Sequence, residues 1–136
     1  MSKLLKFSII LLFVIASQPI FAQEGPSDFD KNFVHVVYFW LNNPQNEQDR
    51  ADFEASLKEF LNKSEYAGTK FIGVPANTPR EVVDNSYTYS LILSFASKEI
   101  QNKYQKEPAH LKFIDEASHL WKKVQVYDSV ELNKSK

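Results

Sequence analysis

The chain has 136 residues, which bounds it to one domain of modest core once a leader is removed. Its formal net charge of −1 supplies no basic surface for nucleic acid or anionic membranes. It contains no cysteine, which excludes disulfides and thiolate metal sites and leaves 11 Phe, 6 Tyr and 2 Trp to build the core.

Residues 1–22 start with the basic Lys3 and Lys6. The apolar run Phe7–Ala16 is too short to span a bilayer, and the small Ala22 precedes Gln23. This is the pattern of a secretory signal peptide cut after Ala22, and no cysteine follows the cut for lipid attachment. Loss of the two lysines moves the net charge from −1 to −3. The expected location is therefore outside the cytoplasm, periplasmic or secreted, with no membrane anchor after cleavage. Residues 23–31 are polar with Gly25 and Pro26 and read as a flexible leader. One domain is expected over 32–132, followed by a short tail, 133–136.

Residues 32–41 are β-branched and aromatic and predict a strand. Phe33, His35, Val37 and Phe39 share one face, and Val34, Val36, Tyr38 and Trp40 the other. A strand apolar on both faces is covered on both. Phe53, Leu57, Phe60 and Leu61 then recur at helical spacing, with acidic residues in the first turns. A short strand is expected over 69–76 and a Pro-containing loop over 77–85. An alternating strand follows over 86–95, with Tyr87, Tyr89, Leu91, Leu93 and Phe95 on one face. Ser97 predicts an N-cap for a helix ending near Tyr104. Pro108 cannot continue that helix but suits the first turn of a second, expected to reach Lys122. A final strand is expected over 124–132. The order β-α-β-β-α-β predicts an α+β, ferredoxin-like fold: a four-stranded antiparallel sheet with helices on one face. The bare apolar face of such a sheet predicts a homodimer stacked sheet to sheet.

Three histidines are the candidates for chemistry. His119 shares a face with Lys112, Asp115, Glu116, Lys122 and Lys123 and reads as solvated. His110 heads the stripe Phe113, Ile114, Ala117, Leu120 and Trp121, so it faces inward. Helix N–H groups at its position lower an imidazole pKa, and Glu107 opposes them. That position suits a backbone-bonded core histidine and a general base equally. His35 lies mid-strand among apolar residues and requires a polar partner, since an unsatisfied group costs ~1–3 kcal/mol. The break at Pro108 allows Tyr104 and His110 to converge. No histidine pair has the spacing of a metal site, so neither metal nor cofactor is expected.

The stretch "FVHVVYFWL", the block from Leu91 to Val130 and, most specifically, Tyr104 followed by Pro108-Ala109-His110, then Trp121 and the closing strand with Asp128, resemble the Dabb family, the stress-responsive A/B barrel domain. The resemblance implies a dimeric α+β barrel with a pocket in each subunit. It implies more through a plant polyketide cyclase of the family, the one that forms olivetolic acid. Its catalytic tyrosine and histidine match Tyr104 and His110, and its pocket histidine matches His35. Trp121, Phe113 and Val37 are expected to line the same pocket. Two positions depart from the family pattern. Glu107 replaces the first histidine of the usual His-Pro-x-His, and Trp40 or Leu41 replaces a lysine. The reading that follows is an exported barrel binding a small apolar or aromatic molecule. The alternatives are a cofactor-independent cyclase, lyase or isomerase, with His110 as base and Tyr104 as hydrogen-bond donor, and a cofactor-free monooxygenase.

Overall fold

The computed structural model describes residues 29–132. The expected signal peptide, most of the leader and the tail lie outside the described residues. Strand β1 (Phe33–Leu41) is central, as its burial on alternate residues requires: Phe33, His35, Val37, Phe39 and Leu41 are buried. It pairs antiparallel with β3 (Tyr89–Phe95) on one side and β4 (Trp121–Ser129) on the other, and β2 (Lys70–Gly73) pairs with β3. The sheet order β2-β3-β1-β4 is the expected ferredoxin-like arrangement.

Helix α1 (Glu47–Lys63) is capped by Asn46, whose side chain accepts from the Asp49 N–H at 2.9 Å. It buries Phe53, Leu57, Phe60 and Leu61 against the inner sheet face. Phe53 lies 5.1 Å from Phe39 and stacks on Tyr89 at 4.9 Å, ring centre to ring centre. Burying each such side chain contributes roughly 1.5–3 kcal/mol. Helix α2 (Lys98–Tyr104) starts at Ser97, whose hydroxyl accepts from the Ile100 N–H as expected. Helix α3 (Pro108–Ala117) begins on Pro108, and residues 105–107 form the elbow between the two.

Several boundaries differ from the sequence reading. β3 begins at Tyr89, not Ser86, and Tyr87 packs its ring on Tyr38 at 4.8 Å. Tyr38 is on the outer face, so Tyr87 lies opposite Tyr89 and the alternation does not extend that far. β2 stops at Gly73, two residues before Pro75, which has no N–H for a ladder. α3 ends at Ala117, and a tight turn (Ser118–Leu120) leads into β4. Trp121 is therefore the first residue of β4, not a member of the helical stripe. The Asn42 N–H donates to the Leu120 carbonyl, and Leu41 pairs with Trp121. Sheet pairing thus overrides a helical period that the sequence alone would continue.

Among the described residues no helix covers the outer face. Val34, Val36, Tyr38 and Trp40 are half-buried there, while Phe71 and Tyr127 are 50% and 57% exposed.

Candidate functional site

The inner face of the sheet is not closed at the β4 edge. Between β1, β4, the end of α2 and the start of α3 lies a cleft of about 210 Å³. His35, Val37, Tyr104, His110, Phe113 and Trp121 all line it. Val124, Val126 and Ile114 form its mouth, each 40–44% exposed. Ile114 thus leaves the buried stripe in which the sequence placed it, because β4 ends the helical cover there. His119 is exposed and lies away from the cleft.

His35 projects from the centre of β1 and is only 4% exposed. Its Nδ1 lies 2.5 Å from Oδ1 of Asp128, its direct neighbour on β4. An ionised carboxylate only accepts, so Nδ1 carries the proton and Nε2 is left to the cleft. Asp128 is the residue that the sequence reading gave no role. The strand order held the signal, since first and last strands are neighbours in this fold and the antiparallel register sets Asp128 beside His35.

Tyr104 ends α2 with 1% exposure, its ring 4.8 Å from Phe95 and 4.7 Å from His110. Among the described residues nothing hydrogen-bonds its hydroxyl. The oxygen is not sealed off either, because among them only Ser56 Oγ is both enclosed and unpartnered. The hydroxyl therefore opens on the cleft. Burial, reinforced by the charges of Glu107 and Asp128, pushes its pKa well above the ordinary tyrosine value. Tyr104 is held as a proton donor.

His110 is the third residue of α3. Its Nδ1 lies 3.2 Å from the Gln105 carbonyl, which can only accept, so Nδ1–H donates and Nε2 keeps a lone pair. Burial lowers its pKa below the ordinary 6.5, against the opposing Gln105 bond and Glu107 charge. Proximity to His35 lowers it further. Burial, rather than the helix N–H groups invoked from sequence, is the main cause.

Glu107 precedes α3 but does not cap it. Its carboxylate turns inward, accepting from the Ser64 hydroxyl at 2.6 Å and the Glu65 N–H at 3.1 Å. It ties the elbow carrying Tyr104 and His110 to the end of α1. Among the described residues no three His, Asp or Glu side chains cluster closely enough to hold a metal ion. The cleft presents one hydroxyl donor and two imidazole Nε2 atoms within apolar walls. That set can bind a carbonyl oxygen and accept a proton beside it.

Residues 33–131 match the family model described as the Stress responsive A/B Barrel Domain, Dabb. Solved structures share the fold. A Dabb family protein with a ferredoxin-like fold from Mesorhizobium loti is 21% identical at TM-score 0.62, covering 74% of this chain and 96% of its own. A dimeric protein of unknown function from Bacteroides fragilis is 16% identical at TM-score 0.59, covering 76% and 99%. A hydroxynitrile lyase from Passiflora edulis is 15% identical at TM-score 0.64, covering 78% and 99%. No curated protein matches the sequence.

Proposed function

The chain belongs to the stress responsive A/B barrel domain (Dabb) family, and on that premise we propose that it is an exported, homodimeric barrel binding a small apolar or aromatic carbonyl compound in the His35–Tyr104–His110 cleft. One observation carries the reading. A buried tyrosine hydroxyl without a partner among the described residues faces a cleft whose walls, apart from His35, Gln105 and His110, are apolar. Such a donor is satisfied by a ligand oxygen, and the walls accept an aryl or alkyl body. Export rests on the pattern of residues 1–22. Dimerisation rests on the uncovered outer face and on the dimeric description of a solved neighbour.

Calorimetric titration with acetophenone tests the binding reading. Tyr104→Phe removes only the hydroxyl and should weaken binding by about 1 kcal/mol, roughly fivefold. No saturable binding across a series of aryl ketones and diketones would sink it.

A second reading has its own support. His110 holds Nδ1–H on Gln105 and an unprotonated Nε2 in the cleft, which is the state a general base requires. His110 would take a proton alpha to the bound carbonyl while Tyr104 donates to the enolate oxygen. No redox cofactor is needed for that step. Exchange of the acetophenone methyl protons in heavy water, followed by NMR, measures it directly. Replacing His110 by Asn should slow exchange by about 10²–10⁴-fold if this is right. A cofactor-free oxygenation begins with the same deprotonation, so equal exchange rates would remove both catalytic readings and leave binding.

A further inference from the structure

A simple ketone does not use all the hydrogen-bonding groups of the histidine cleft. Its oxygen accepts from the Tyr104 hydroxyl and offers no proton in return. His35 is the group left unanswered. It is 4% exposed, with Nδ1 held on Asp128. Among the described residues nothing hydrogen-bonds its Nε2. That atom is not sealed off either, because among them only Ser56 Oγ is both enclosed and unpartnered. Two buried side chains, Tyr104 and His35, therefore turn a donor and an acceptor to the same cleft.

The two lie side by side, their rings edge to face with centres 5.8 Å apart. The Asp128 carboxylate makes the acceptor one-sided. It keeps the proton on Nδ1 and, by polarising the ring, strengthens Nε2 as an acceptor. Gln105 also lines the cleft, but a side-chain amide both donates and accepts and selects neither kind of partner. His110 is half-buried, so its Nε2 is the less demanding of the two imidazole acceptors. An apolar body that fills the cleft displaces the water serving His35, and a buried acceptor stripped of water is costly unless the ligand supplies a donor itself.

We infer that the cleft selects a carbonyl compound bearing a hydroxyl close to the carbonyl, an α-hydroxy ketone being the shortest. Tyr104 donates to the carbonyl oxygen, and the ligand hydroxyl donates to Nε2 of His35. Asp128 does not line the cleft; it is the positioning residue that holds His35 in the accepting tautomer. The inference rests on the carbonyl-binding reading given above and narrows its ligand class.

The test is calorimetric titration of the purified protein with acetophenone, α-hydroxyacetophenone and α-methoxyacetophenone. The hydroxy ketone should bind on the order of tenfold tighter than acetophenone. The methyl ether keeps the added oxygen without its proton and should bind no tighter than acetophenone. Nitrogen NMR shifts of the His35 ring should show a proton on Nδ1 and none on Nε2. Asp128→Ala changes an exposed side chain and frees the ring to carry its proton on Nε2. The ratio of the hydroxy ketone and acetophenone affinities should then fall to about one. A general loosening of the cleft would instead weaken both ligands and preserve that ratio. Saturable acetophenone binding without preference for the hydroxyl, an equal gain from the methyl ether, a proton on Nε2, or a preference that survives Asp128→Ala would each overturn the inference and leave carbonyl binding standing. Failure of all three ketones to bind would remove both.

Discussion

Tyr104 and His110 show how a side chain's environment decides its protonation. The Tyr104 hydroxyl has no partner among the described residues and meets solvent only through the cleft, so it adds nothing to folding stability through a protein hydrogen bond. Replacing it by Phe should therefore leave stability unchanged or raise it by up to about 1 kcal/mol, read from denaturant midpoints, while ligand binding falls. A structural hydroxyl would give the opposite result. His110 supplies a signed pH dependence. Unfolded, it gains a proton near 6.5, whereas burial keeps the folded imidazole neutral to lower pH. The unfolded state then binds more protons in that window. The contribution of His110 is full above the unfolded value and is lost as pH falls through the folded one. Stability should decline as pH falls below the unfolded value of 6.5, and His110→Asn, which retains a donor toward Gln105, should flatten that decline. His35 was legible as a residue needing a partner, but Asp128 lies 93 positions away and only the strand register brings them together.

At the level of elements, period and caps made most of the fold legible. The alternation of β1, the Phe53-Leu57-Phe60-Leu61 stripe of α1, the Ser97 cap and the Pro108 break each specify local structure without knowledge of the rest. What escaped was decided by contacts between elements. Trp121 continues the helical spacing from Phe113, yet pairing with Leu41 draws it into β4. Tyr87 continues the alternation of β3, yet its ring crosses to Tyr38. Glu107 was legible as a change of charge but not as a tether, because Ser64 and Glu65 approach it only once α1 has docked. Glu107→Ala leaves a hydroxyl and an N–H unpaired near the elbow. It should destabilise the protein by about 1–3 kcal/mol in chemical denaturation and broaden the amide signals of residues 104–110. A change confined to stability, with those signals intact, would show that the tether does not position Tyr104 and His110.

For the whole molecule, the outer sheet face is the feature that a single chain leaves unfinished. Val36 sits at its centre, beside Ile92 on β3 and Tyr127 on β4. In the proposed homodimer Val36→Asp would place like charges across a two-fold interface and should halve the mass seen by sedimentation without unfolding the subunit. An unchanged mass would show that this face is not a subunit interface. The histidine cleft, by contrast, opens on the inner, helix-covered side of the sheet. Two subunits stacked through their outer faces would carry their clefts on opposite sides of the assembly, with both sheets between them. In that arrangement neither cleft would borrow a wall from the other. Occupancy of one subunit then gives no information to its partner. Titration of the proposed dimer with a carbonyl ligand should follow a simple hyperbola with a Hill coefficient of about 1, so the protein would respond in proportion rather than as a switch.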